Sequence, residues 1–213
     1  MKKTSLSKAD GTILQDYGLI DICNSHDFLM IDTCAATDVD WISLTGDQRI
    51  FQRRFNAKYS APVEQRIEYN GLIGLLFASE EFQLYTTEKV LEEIKKYTRD
   101  KNGGLLSSIN QIITAIERTP KLISLEQTPE FEMYSNDSYF KRLAEMHGIG
   151  EVDQNLLLQF FSSLHNIDGK CALITNDRGI LDTYKSFGYR LPGKHTVYTA
   201  LFGQKYEPSF ARK

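Results

Sequence analysis

Two aspartates stand at the ends of short apolar runs: Asp32 after Phe28-Leu29-Met30-Ile31, and Asp177 after Cys171-Ala172-Leu173-Ile174-Thr175-Asn176. Runs of this length and composition suit strands buried on both faces of a parallel sheet. Each acid therefore falls at the carboxyl end of a strand, where its charge is costly to bury unless something pairs with it. Taken alone, each reads equally well as the N-cap of the following helix. Asp153 is more informative. Leu156, Leu157, Phe160, Phe161 and Leu164 follow it at i+3, i+4, i+7, i+8 and i+11, so Asp153 heads a core-facing helical stripe. Its alternative role is a first-turn acid stabilised by the helix dipole. Glu92 and Glu93 compete for a fourth place. At about 100° per residue, Val90, Leu91, Ile94 and Tyr97 define one helix face, with Glu93 on its flank and Glu92 nearly opposite. Glu93 is the site candidate and Glu92 the surface residue; the alternative for either is a solvated glutamate paired with Lys89 or Lys96.

Clustered carboxylates repel one another, and their charge is tolerable only with a bound cation or a shifted protonation. Oxygen-only ligands suit hard ions, Mg2+ or Mn2+, rather than zinc, and such ions serve phosphate chemistry. The chemistry expected of Asp32, Glu93, Asp153 and Asp177 is metal-assisted chemistry on a phosphate group.

The elements that must position these acids alternate between strand and helix. Strands are expected at 28–31, 82–86, 122–125, 171–175 and 197–202. Helices are expected within 38–60, at 63–79 behind Pro62, and from a Thr87 cap to a stop near Asn102-Gly103-Gly104. Further helices are expected at 105–118, at 138–147 closed by Gly148, at 152–164, and at 180–187 closed by Gly188, with a loop at 128–137. The pattern predicts an α/β fold, three-layered α/β/α, with a central, mostly parallel sheet. The chain divides into an N-terminal extension (1–27), an α/β domain (28–203) with helical insertions near 38–80 and 102–150, and a loose polar C-terminal tail (204–213).

Composition narrows the partners. With 25 Lys and Arg against 28 Asp and Glu, the net charge is −3, which excludes a chain-wide basic nucleic-acid footprint. Contacts to RNA must then come from local patches. The stretch Arg49, Arg53, Arg54 and Lys58 interleaves with Phe51, Phe55 and Tyr59, and reads either as a phosphate-contacting patch or as an amphipathic helix with its aromatics buried. Cys23, Cys34 and Cys171 form no C-x-x-C pair, which argues against a disulfide framework or a structural zinc site. A polar start without an apolar leader, and no long apolar stretch, read as a soluble cytoplasmic protein with no membrane partner. His26, His147, His165 and His195 show no ligand spacing. Asp38 and Asp182 are the reserve acids.

Four segments in this order are similar to those of the PIN-domain nucleases: Phe28-Leu29-Met30-Ile31-Asp32-Thr33; Tyr85 to Ile94, containing Glu93; Val152-Asp153-Gln154-Asn155-Leu156-Leu157; and Leu173-Ile174-Thr175-Asn176-Asp177-Arg178-Gly179-Ile180-Leu181. The last is the most specific, and the match spans about residues 28–190. The resemblance implies a metal-dependent endoribonuclease leaving 5′-phosphate and 3′-hydroxyl ends. Asp32, Glu93, Asp153 and Asp177 would hold one or two Mg2+ or Mn2+ ions, with Thr33, Thr175 and Asn176 in support. With RNA as the substrate, Arg49, Arg53, Arg54 and Arg178 are the RNA-contact candidates. A homodimer and an inhibitor or regulatory protein are the further partners it allows. The segments between Asp32 and Phe82 and between Lys101 and Glu151 are longer than in the small VapC-type toxins, so the resemblance is to the larger PIN proteins. The alternative class is a catalytically inactive PIN-fold module that binds RNA or protein. A small-molecule phosphohydrolase with a D-x-D motif fits poorly, because Cys34 stands where the second aspartate belongs.

Overall fold

The computed structural model describes residues 18–37, 63–97, 103–199 and 205–213. The expected helices within 38–60, and with them Arg49, Arg53, Arg54, Lys58 and Asp38, lie outside the described residues, as does most of the N-terminal extension. In chain order the elements are α1 (Leu19–Ser25), β1 (Phe28–Ile31), α2 (Thr33–Thr37), α3 (Val63–Ala78), β2 (Leu84–Thr87), α4 (Glu88–Tyr97), α5 (Gly103–Arg118) and β3 (Leu122–Ile123). They continue with α6 (Pro129–Asn136), α7 (Ser138–His147), α8 (Glu151–Ser163), β4 (Lys170–Ile174), α9 (Arg178–Phe187), β5 (Lys194–Thr199) and β6 (Glu207–Arg212).

The fold is α/β, a six-stranded sheet flanked by helices in three layers. Strand order is β3-β2-β1-β4-β5-β6, with every neighbouring pair parallel except the last. The two continuous apolar runs are the central strands: every residue of β1 is buried, and so is β4 beyond Lys170. Between them the order reverses, because β1 leads to β2 on one side and β4 to β5 on the other. In open α/β sheets, ligands bind beyond the carboxyl ends of the strands at such a reversal. Asp32 follows β1 there and Asp177 lies just past β4.

Three expectations require correction. Residues 129–136 are helix α6 rather than loop. Thr128 caps it by accepting from Phe131 N at 3.3 Å, with Pro129 at the first helical position, so its start signal is the Thr-Pro pair. Gly103 and Gly104 open α5 rather than stopping the preceding helix. The C-terminal segment is not a loose tail: Glu207–Arg212 pairs antiparallel with β5, with a bulge at Val197/Tyr198. Phe210 anchors it, stacking on His195 with centroids 5.9 Å apart and meeting Tyr184 edge-on. A smaller difference is Gly188, which has right-handed helical backbone and leads into a short 3-10 turn instead of closing α9 with a left-handed cap.

The same contacts bury His195, whose Nδ1 meets the Tyr184 hydroxyl. Burial, reinforced by Arg212, lowers its pKa to about 4. The unfolded chain takes up this proton near the ordinary value of about 6.5, whereas the folded chain does so only near 4. The stability tied to neutral His195 is therefore complete above about pH 6.5 and is lost as pH falls towards 4. The melting-temperature difference between the wild type and His195→Gln should shrink over that interval. A difference that stays constant from pH 7.5 to 4.5 would remove His195 from the acid response.

Candidate functional site

The site is built on the β1–β4 pair. Ile31 and Ile174 are in register, and Asp32 N donates to Ile174 O at 3.1 Å. Asp32 and Thr175 thereby leave adjacent strands side by side, and the Thr175 hydroxyl donates to Asp32 Oδ2. The same hydroxyl oxygen accepts from Asp177 N at 3.0 Å. One buried threonine thus fixes the carboxylate of the first acid and the backbone of the last. Asp32 Oδ1 accepts from Ala35 N at 2.6 Å in the first turn of α2. With five residues, α2 is too short to satisfy its own carbonyls; the Tyr69 hydroxyl donates to Ala35 O and meets the Tyr206 hydroxyl at 2.7 Å.

Asp177 caps α9, its Oδ1 accepting from Ile180 N at 2.8 Å. The capping role and the site role are therefore not exclusive. Glu93 lies on α4, which begins behind Thr87, whose Oγ1 accepts from Val90 N at 3.2 Å. Glu93 is half-buried and accepts from the Thr33 hydroxyl, which ties α4 to α2. Glu92 is exposed and pairs with Lys95 at 2.7 Å. Asp153 is the third residue of α8, in the first turn behind Gly150, the residue that precedes the helix.

The four acids act on one another. Asp32 is raised to about 7, by burial first and then by Asp153 and Asp177, although bonds from Thr175 and Ala35 pull it down. Asp153 is also raised to about 7, by burial, Asp177 and Glu93. The half-buried Cys34 thiol is pushed well above its ordinary range by burial and then by Asp32, Asp177, Asp153 and Glu93 together. Cys34 is thus a residue on which all four fields converge. Nothing in its sequence context distinguished it from a buried core cysteine except its place two residues after Asp32.

Among the described residues none of the four carboxylates is paired with Lys, Arg or His. Nor is any group of three or more His, Cys, Asp or Glu side chains there arranged to hold a metal ion. Asn176 is half-buried between Thr175 and Asp177. Arg178 is exposed at the start of α9, 3.4 Å from Asp182, so that reserve acid serves an ion pair on the helix surface. A groove of roughly 440 Å³ runs between α4 and α8, bounded by Lys89, Lys96, Glu126, Glu151, Asn155 and Gln159 among others, and none of the four acids lines it. Lys89 and Glu151 bridge the two helices at 2.6 Å. No family model, curated protein or solved structure matches this chain.

The charge crowding has a thermodynamic consequence. A folded pKa of about 7 for Asp153 exceeds the unfolded value of about 3.9. The fold therefore carries a penalty that is full above pH 7 and is relieved as pH falls from 7 towards 4. In metal-free buffer, Asp153→Asn should melt higher than the wild type at pH 8, with the gain disappearing near pH 4. A variant that melts lower than wild type at pH 8 would contradict this electrostatic reading.

Proposed function

We propose that the chain is a divalent-cation-dependent endoribonuclease of the PIN-domain type, with Asp32, Glu93, Asp153 and Asp177 as its acid cluster. One observation carries the reading. At the ends of the in-register strands β1 and β4, one buried threonine hydroxyl holds the Asp32 carboxylate and the Asp177 backbone, and none of the four acids has a basic partner among the described residues. A structural network would offset such charge with Lys or Arg. Here two of the acids hold their protons to about pH 7 instead, and perturbations of this kind concentrate at functional sites.

The donor set fits a hard cation, Mg2+ or Mn2+, in ligand type and in charge. Asp32, Glu93, Asp153 and Asp177 would hold it. A bound cation would supply neutralisation of phosphate charge and activation of water. The chain's own groups orient the acids: Thr175 and Ala35 fix both oxygens of Asp32, Thr33 fixes Glu93, and Ile180 N fixes Asp177. Such outer contacts set ligand direction and basicity. The α4–α8 groove carries Glu88, Glu92, Glu126 and Glu151 against Lys89 and Lys96, so it repels phosphate. Arg178, exposed beside Asp177, marks the better approach for an RNA strand.

A second reading, an inactive PIN-type module that binds RNA or protein, is favoured by the absence of a closed metal-ligand group among the described residues. Cleavage of labelled RNA in Mn2+ separates the two. Asp32→Asn and Asp177→Asn should each lower the rate about 100-fold or more, equivalent to several kcal/mol of charge stabilisation, with circular dichroism unchanged. Full activity in both folded variants would remove this site. RNA binding by a wild type that neither cleaves nor takes up Mn2+ would establish the second reading.

A further inference from the structure

Asp153 and Asp177 sit at the heads of two helices, α8 and α9, that come from different parts of the chain. Where those heads meet, α9 carries Gly179 in its first turn. Its backbone does not require glycine: its φ is not in the left-handed region, unlike that of Gly148 at +64°. Within a helix glycine is also a poorer choice than alanine. Clearance accounts for it. A Cβ at Gly179 would stand 2.8 Å from Ile149 Cγ2 and 3.1 Å from both His147 O and Asp177 Oδ1. The first distance is closer than carbon atoms pack, and the other two are tight against a backbone carbonyl and a site carboxylate.

The turn that α9 meets is held in place. Ile149 is buried, and its N–H donates to Ala144 O at 3.0 Å. Its carbonyl accepts from Gln154 Nε2 at 2.9 Å, and Gly148 N donates to Glu145 O at 3.1 Å. Gly150, next along this turn, directly precedes α8, which carries Asp153 in its first turn. A methyl group at position 179 would therefore push the head of α9 away from the head of α8, or displace Asp177 itself.

We propose that Gly179 is a positioning residue for the acid cluster: its missing side chain lets α9 lie against the 147–150 turn and so sets the Asp153–Asp177 spacing. The metal consequence rests on the nuclease reading above; the spacing consequence does not. The test compares full-length wild type with Gly179→Ala, Ile149→Ala, Gly179→Ala/Ile149→Ala and Gly179→Ala/Ile149→Val, by crystal structure and by calorimetric Mn2+ titration.

In Gly179→Ala the two carboxylates should lie farther apart, and Mn2+ affinity should fall about 10-fold or more, the range seen when groups that orient metal ligands are lost. Adding Ile149→Ala removes Cγ2 and should recover part of both. Ile149→Val keeps Cγ2 and should recover neither. If Gly179→Ala fails to fold, the double alanine variant, which loses the closest of the three contacts, is compared with Ile149→Ala alone for the same two quantities. Unchanged carboxylate spacing with unchanged Mn2+ affinity would overturn the proposal. A wild type without Mn2+ affinity would sink the metal reading, while the spacing in the crystals would still decide the role of Gly179.

Discussion

The parallel pairing of β1 with β4 is the constraint on which the rest of the site depends. Because Ile31 lies opposite Ile174, the next residue on each strand, Asp32 and Thr175, emerges at the same level. A slip of one residue would turn the alternate side chains of β1 or β4 to the opposite face of the sheet and would separate this pair. With the register set, the Thr175 hydroxyl reaches Asp32 and also receives the N–H of Asp177. Two acids far apart in sequence are thereby tied to one buried oxygen. The remaining contacts extend from this pair: Ala35 N to Asp32, Tyr69 to Ala35, and Tyr206 to Tyr69. The lead-in to the C-terminal strand is thus connected, through two tyrosines and a backbone carbonyl, to the first acid.

Stability and charge pull in opposite directions at this place. A buried carboxylate surrounded by others is disfavoured in its ionised form. The chain does not relieve that cost with arginine or lysine at any of the four acids among the described residues. It does relieve it elsewhere: Asp137 pairs with Arg190 at 3.1 Å, and Lys95 bridges Glu92 and Glu117. Ion pairing is available to this fold, and among the described residues none is made at the switch point. Retaining unpaired charge there, at a stability cost, is the pattern expected where rules of local consistency yield to function.

Much of this was legible in the sequence for simple reasons. Both central strands announce themselves, since burial on both faces demands uninterrupted apolar residues, and the acids that end them stand out by contrast. The choice of Glu93 over Glu92 follows from helical phase, and in the structure Glu93 meets Thr33 while Glu92 faces solvent beside Lys95. Less was legible where tertiary contact decides. The segment 207–212 has a polar composition, and its strand exists because β5 offers an open edge and Phe210 has a ring stack to join. Helix α6 was masked by its polar surface, although Thr128 and Pro129 mark its start. Cys34 could not be recognised at all without coordinates, because its significance lies in the convergence of fields from distant segments.

The four acids are not held equally, and the difference locates the adjustable part of the site. Asp32 is fixed at both oxygens, Glu93 by a threonine hydroxyl, and Asp177 by its own cap. Each of these restraints involves a donor on or beside the β1–β4 core or on the helix that the acid begins. Asp153 has no comparable hydrogen-bond restraint among the described residues, and it stands at the start of a helix whose placement comes from packing against α4, α6 and α9. The position of this acid therefore depends on how closely helix surfaces approach one another. Packing of that kind responds to a single methyl group, whereas a hydrogen-bonded strand register does not shift by fractions of a residue. The spacing between Asp153 and the other acids is consequently the quantity most open to change by substitution at helix contacts.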